Sequence, residues 1–180
     1  MKPQLAAMAR RDGFTLIELL IVVAIIGLLA ALAVPGMLRA RMTANETSAV
    51  GSMRAVVVAQ ASYASTCARG AYATALAILA VGPGGSADGF LSPDLGLNPI
   101  PIKNGYVFTM AAGSGSVAGP ADCNNQPTNT TYYLTAVPTT GGSTGVRGFA
   151  ANQGGSIWQD LSGAAPVEPF TVGAGVTPVQ

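Results

Sequence analysis

Residues 10–35 read Arg-Arg-Asp-Gly-Phe-Thr-Leu-Ile-Glu-Leu-Leu-Ile-Val-Val-Ala-Ile-Ile-Gly-Leu-Leu-Ala-Ala-Leu-Ala-Val-Pro. A basic leader, with Lys2, Arg10 and Arg11, stops at Gly13, and residues 14–34 then run for 21 positions with one charge, Glu18. As a helix, a run of that length spans roughly 30 Å of hydrocarbon. The cations ahead of it are expected to keep the leader cytoplasmic, although Arg39 and Arg41 behind it weaken the asymmetry. An ionised side chain costs about 2.5–3.5 kcal/mol at mid-bilayer and less near the interface, so Glu18 calls for a partner wherever it lies.

Three readings of this segment compete. A cleaved secretory signal fits the basic start, and Ala31-Leu32-Ala33 has the form of a cleavage site. Against it, the apolar region is too long and holds an acid. A permanent single-span anchor fits the length but gives Glu18 no work. The third reading is a helix meant to leave lipid and pack on other protein, which gives the carboxylate a reason to be there.

The sequence Gly13-Phe14-Thr15-Leu16-Ile17-Glu18 resembles the signature of type IV pilins and of the pseudopilins of type II secretion. The resemblance covers about residues 8–66 and is architectural beyond. It implies a prepilin peptidase that cuts between Gly13 and Phe14 and methylates the new Phe14 amino group. It also implies an inner-membrane assembly platform and a motor ATPase as partners. Gly27 and Pro35 stand where such helices commonly carry a glycine and a proline. In this picture Glu18 of one subunit neutralises the Phe14 amine of another, an ion pair that sets register more than it adds stability. The plainer alternative is that Glu18 caps its own helix, near the positive end of the dipole.

Pro35 lacks an N–H and clashes with the carbonyl four residues back, so a kink or local melting is expected around Gly27, Pro35 and Gly36. Beyond it, Leu38, Met42, Asn45, Ala49, Met53, Val56, Gln60 and Tyr63 recur at helical spacing. Arg39, Thr43, Glu46 and Arg54 are expected largely on other faces. One helix is therefore predicted from about residue 14 to 66, its second half amphipathic. The expected organisation is a leader over residues 1–13, a membrane or filament-core helix over 14–35, its continuation over 36–66, and a globular head over 67–180.

In the head, residues 71–80 read as a short helix with Thr74 as a possible cap, and residues 82–104 as Gly/Pro-rich loop. Strands are expected at 105–111, 131–137, 146–151 and 156–160, the last two joined by Asn152-Gln153-Gly154-Gly155. The tail from Gly163 is expected to be extended or irregular, and Trp158 and the tyrosines to fill a helix–sheet interface. The fold class is α+β: a long helix on a small antiparallel sheet of about four strands. Cys67 and Cys123, downstream of an export-type segment, read as a disulfide that closes a long loop, the alternative being two buried thiols. The loop over 113–130 contains Cys123 and is rich in Gly, Ser and Asn.

Composition narrows the function. Residues 1–69 carry seven Lys/Arg against three Asp/Glu, and residues 70–180 carry two against five. A weakly acidic distal part does not suit phosphate-backbone binding, so no nucleic-acid partner is expected. The absence of histidine removes the commonest general base and metal ligand, and no catalytic cluster is visible. No cofactor and no metal are expected; Asp88, Asp94 and Asp122 match no calcium loop. The expected role is a structural subunit that self-associates into a helical filament, passing from the inner membrane to the cell surface. A periplasmic secretion pseudopilin and a minor tip subunit that binds a ligand are the alternatives.

Overall fold

The computed structural model describes residues 13–173 and 175–179, so the leader, apart from Gly13, lies outside the described residues. Helix α1, Leu16–Thr66, is 51 residues long. It begins two residues later than expected because Thr15 serves as its N-cap. The helix is also unbroken through Gly27, Pro35 and Gly36, so the expected local melting does not occur there. Proline removes one donor, but the flanking Ala, Leu and Met residues are strong helix formers, and a long helix loses little of its ladder at one site. The chain divides into two compact units, the first reaching Arg39 and the second starting at Ala40.

In the first unit every described residue is exposed, from Phe14 (83%) and Leu16 (81%) to Leu38 (55%). The second unit contains the core. Of the expected stripe, Ala49, Met53, Val56, Gln60 and Tyr63 on α1 are buried and Leu38 is exposed; Ala59 is buried beside them. The buried residues face a six-stranded antiparallel sheet in the order β2-β3-β5-β6-β7-β8. These strands are β2 (Ile102–Lys103), β3 (Tyr106–Ala112), β5 (Tyr132–Pro138), β6 (Gly148–Asn152), β7 (Ile157–Asp160) and β8 (Val176–Pro178). The four expected strands are present within two residues of their predicted bounds, and β2 and β8 extend the sheet at either edge. The inner face supplies Tyr106, Phe108, Tyr132, Leu134, Ala136, Phe149, Ala151 and Ile157 to the core.

A separate two-stranded ribbon pairs β1 (Tyr72–Ala73) with β4 (Thr128–Asn129). It takes the start of the helix expected over 71–80, of which only one turn remains, α2 (Leu76–Leu79). Its N-cap is Ala75, without a side-chain bond, so Thr74 is not the cap. The cause is tertiary. The buried Gln60 amide accepts from the Ala73 N–H (2.9 Å) and donates to the Ala73 carbonyl (3.1 Å), which holds that peptide extended. Residues 82–104 are also more ordered than expected, with a 3-10 turn at Pro83–Gly85 and the single turn α3 (Pro93–Gly96).

The segment after β7 covers the outer face of the sheet. Phe170 packs on Trp158 (5.6 Å between centroids) and near Tyr133 (6.3 Å). The Tyr133 hydroxyl donates to the Pro166 carbonyl at 2.6 Å. The Glu168 carboxylate accepts from Asn152 Nδ2 (2.6 Å) and from the Ser114 amide (2.7 Å). Trp158 and Tyr133 thus lie on the face away from α1, which corrects their expected place in the helix–sheet interface. Only a glycine fits at 148, since a Cβ there would lie 2.1 Å from the Ala164 carbonyl oxygen.

Candidate functional site

Thr15-Leu16-Ile17-Glu18 forms a reciprocal cap at the start of α1. The Thr15 amide donates to Glu18 Oε2 (2.9 Å), the Thr15 hydroxyl donates to the same oxygen (2.6 Å), and the Glu18 amide donates back to Thr15 Oγ1 (3.3 Å). This is a capping box, in which two orphan donors of a helix start are satisfied at once. The helix-cap alternative for Glu18 therefore describes the single chain. Among the described residues, all the bonds to the carboxylate go to Oε2. Phe14 lies one residue outside the cap and Gly13 directly before it, so the expected processing and assembly residues are contiguous in sequence with the capped end. The Thr-x-x-Glu pattern is a sequence signature, and Thr15 is the residue that reading by charge alone passes over.

The apolar stretch behind this cap is long and hydrophobic enough to cross a membrane, and none of it is buried within the chain. Soluble helices bury an apolar face; a helix that is apolar all round has its partners elsewhere, in lipid or in other helices.

In the second unit, two polar anchors fix α1 to the head. Glu46 is buried, and its Oε1 accepts from the Val146 amide (2.8 Å) and the Arg147 amide (3.1 Å). Its Oε2 accepts from Arg147 Nε and Nη2, both at 2.8 Å. Burial pushes the Glu46 carboxyl up, but these backbone and guanidinium donors together outweigh it and hold the group below the usual carboxylate range. Glu46 was expected on an outward face. Positions 42, 46, 49, 53, 56, 60 and 63 alternate steps of four and three, so the spacing did mark it as inward; its charge argued the other way.

The second anchor is the disulfide between Cys67 and Cys123, with Cα atoms 4.9 Å apart. Around it, the Cys123 amide donates to the Cys67 carbonyl (2.9 Å), and the Tyr63 hydroxyl donates to Asp122 Oδ2 (2.7 Å). Asp122 Oδ1 accepts from the Asn124 amide (2.8 Å) and the Gln126 amide (2.7 Å), closing a tight turn. Burial first, then the hydrogen bond to Asp122 and last its charge, push the Tyr63 phenol well above its ordinary value. Asp122 and Tyr63 thus act as a structural pair.

Comparison with known proteins bears on the capped segment. A family model for the prokaryotic N-terminal methylation motif matches residues 8–34. The type IV major pilin protein PilA of Myxococcus xanthus is 46% identical over 56 residues, 31% of this chain and 26% of that protein. The type IV wide pilus major component PilA4 of Thermus thermophilus is 48% identical over 56 residues, 31% of this chain and 43% of that protein. The matched part thus spans less than half the length of either relative. No solved structure matches the chain. The N-terminal segment of this chain is thus similar to that of type IV major pilins and carries the prokaryotic N-terminal methylation motif.

Proposed function

We propose that this chain is a structural subunit of a type IV pilus. A prepilin peptidase cuts between Gly13 and Phe14 and methylates the Phe14 amine. Residues 14–35 hold the processed subunit in the inner membrane until a platform and motor ATPase pass it into a filament on the cell surface. The observation that carries this reading is the apolar half of α1, exposed along its whole length and headed by one carboxylate. Lipid is already apolar, so transfer into a bundle of sister helices gains little from hydrophobicity. Packing and ion pairing must supply the preference. Glu18 meeting the Phe14 amine of a neighbouring subunit supplies it and fixes register.

The test is Glu18→Ala in a host with its own peptidase and assembly machinery. Cleavage at Gly13 is expected to persist, read by mass of the mature N-terminus. Sheared filaments are expected to fall by about tenfold or more, since a charge-assisted pair is lost from every subunit contact. Filament yield equal to the parent chain refutes the pairing.

A further inference from the structure

In the second unit, α1 is covered on one flank and open on the other. On the β2 side, Asn104 in the β2–β3 turn donates to Ser48 Oγ on the helix, and Lys103 ties β2 to α3 through Asp94 (2.6 Å). On the β8 side, Arg147 Nη1 donates to Gln159 Oε1 (2.7 Å) and Gln159 Nε2 to Thr177 Oγ1 (3.0 Å), a polar row that runs out to the edge strand. Between this row and α1 lies a cleft of about 330 Å3. Val50, Gly51, Arg54 and Val179 line it, with the Glu46–Arg147 pair also in its wall. A Cβ at Gly51 would have nothing within 4 Å, so the helix wall is open at that point. Glu46 is matched by Arg147, which leaves Arg54 as the cleft's excess charge. Arg54 is exposed and among the described residues forms no ion pair.

Asp88 is its counterpart. Among the described residues of the second unit, Glu46, Asp94, Asp122, Asp160 and Glu168 all accept hydrogen bonds, and Asp88, fully exposed, accepts none. It ends a thin stretch without a bulky side chain, Pro83-Gly84-Gly85-Ser86-Ala87, in the segment that closes the β2 side. We propose that the cleft receives the loop over 83–88 of a second copy, with the Asp88 carboxylate of one head against the Arg54 guanidinium of the next. The inference rests on the filament role proposed above and assigns it a contact between heads. The two surfaces lie on opposite flanks of one head, so the contact runs head to tail and repeats instead of closing in a pair. Phe90 packs edge-on against Tyr63, nine residues beyond Arg54, which places Asp88 about 13 Å further along α1. Parallel copies joined in this way are staggered along the axis, and a staggered head-to-tail contact generates a screw, not a ring. An exposed ion pair is too weak to join free heads; it acts once bundled helices hold the heads at high effective concentration.

The experiment compares sheared filament yield for Arg54→Glu, Asp88→Arg and the combined swap, in the full-length chain and a host with its own assembly machinery. The amount of processed subunit in the membrane serves as the folding control. Each single reversal sets like charges against each other at every contact, and about tenfold less filament is expected. The swap restores opposite charges and is expected to return within about threefold of the parent. In a second arm, filaments of the Arg54→Cys, Asp88→Cys double variant are oxidised. A ladder of linked multimers is expected on a non-reducing gel, and none from either single cysteine, because in a head-to-tail contact neither residue meets its own copy. Parent-like yield from both reversals, or filaments of the double-cysteine chain without a ladder, overturns the contact and leaves the filament role standing. A loss with Arg54→Glu that the swap does not recover assigns the cleft to a different acidic partner and equally overturns the self-contact. A parent chain that forms no filaments removes the filament role, and this contact with it.

Discussion

At the scale of single residues, the head depends on a carboxylate in an unfavourable place. Glu46 is 6% exposed, and a buried acid is tolerated only when its lone pairs are filled. Two backbone amides and one guanidinium fill them. Breaking such a pair by removing one partner typically costs about 3–5 kcal/mol. Arg147 keeps a third of its side chain exposed, so water recovers part of the loss when Glu46 is removed. Glu46→Ala is therefore expected to cost about 2–3 kcal/mol and Arg147→Ala about 3–4 kcal/mol by urea unfolding near neutral pH. The pH dependence follows from the depressed carboxyl. A group whose folded pKa lies below its unfolded value, near 4.3 for glutamate, contributes stability above that value. The contribution is lost as pH falls through the folded pKa. The gap between the parent chain and Glu46→Ala is thus expected to be constant from about pH 5 upward and to shrink below about pH 4. A gap that stays constant down to pH 3 contradicts the assignment. The sequence reading put Asn45 rather than Glu46 in the inward stripe, although 46 also keeps the spacing of four and three. The partner did not show, because Arg147 lies a hundred residues away on a strand and nothing local links the two.

Among the elements, those written in local pattern were legible and those set by distant bonds were not. The α1 stripe and the four main strands carry their periodicities in sequence. The ribbon of β1 and β4 does not, because the Gln60 amide and the Cys67–Cys123 bond impose it from outside. The β2–β3 hairpin had a local signal after all. Asn104 (φ 48°) and Gly105 (φ 74°) form a turn with both central residues at positive φ, the strongest short hairpin cue, hidden by a Gly/Pro-rich flank. The disulfide closes a loop with a sequence separation of 56, which in the chain-entropy model contributes about 4 kcal/mol. Cys67→Ser is expected to lower head stability by about 2–4 kcal/mol under oxidising conditions. The loss is expected first in the loop over 113–130, read as faster amide exchange there than in β5 and β6. Exchange that accelerates equally in all strands points to a global role for the bond rather than a local anchor.

Over the whole molecule, the two units divide the work. Among the described residues, the buried core runs from Ala49 to Ile157, inside the second unit. The sheet edges of this unit are poor templates for another strand. β8 ends in Pro178, which has no N–H, and Val176 exchanges both of its backbone bonds with Gly173. At the other edge β2 has two residues and follows Pro99 and Pro101. Proline and brevity are standard protections against edge-to-edge pairing. The apolar half of α1 has no such protection, and its exposed side chains are the molecule's main sticky surface. A chain beginning at Ala40 is therefore expected to fold, to keep the Cys67–Cys123 bond and to remain monomeric at high concentration. The full processed chain is expected to need detergent or to assemble. Sedimentation velocity and circular dichroism on the two forms check this directly. A shortened chain that is folded yet forms filaments places assembly contacts in the head. One that is unfolded shows that residues before Ala40 stabilise the core by a route other than burial.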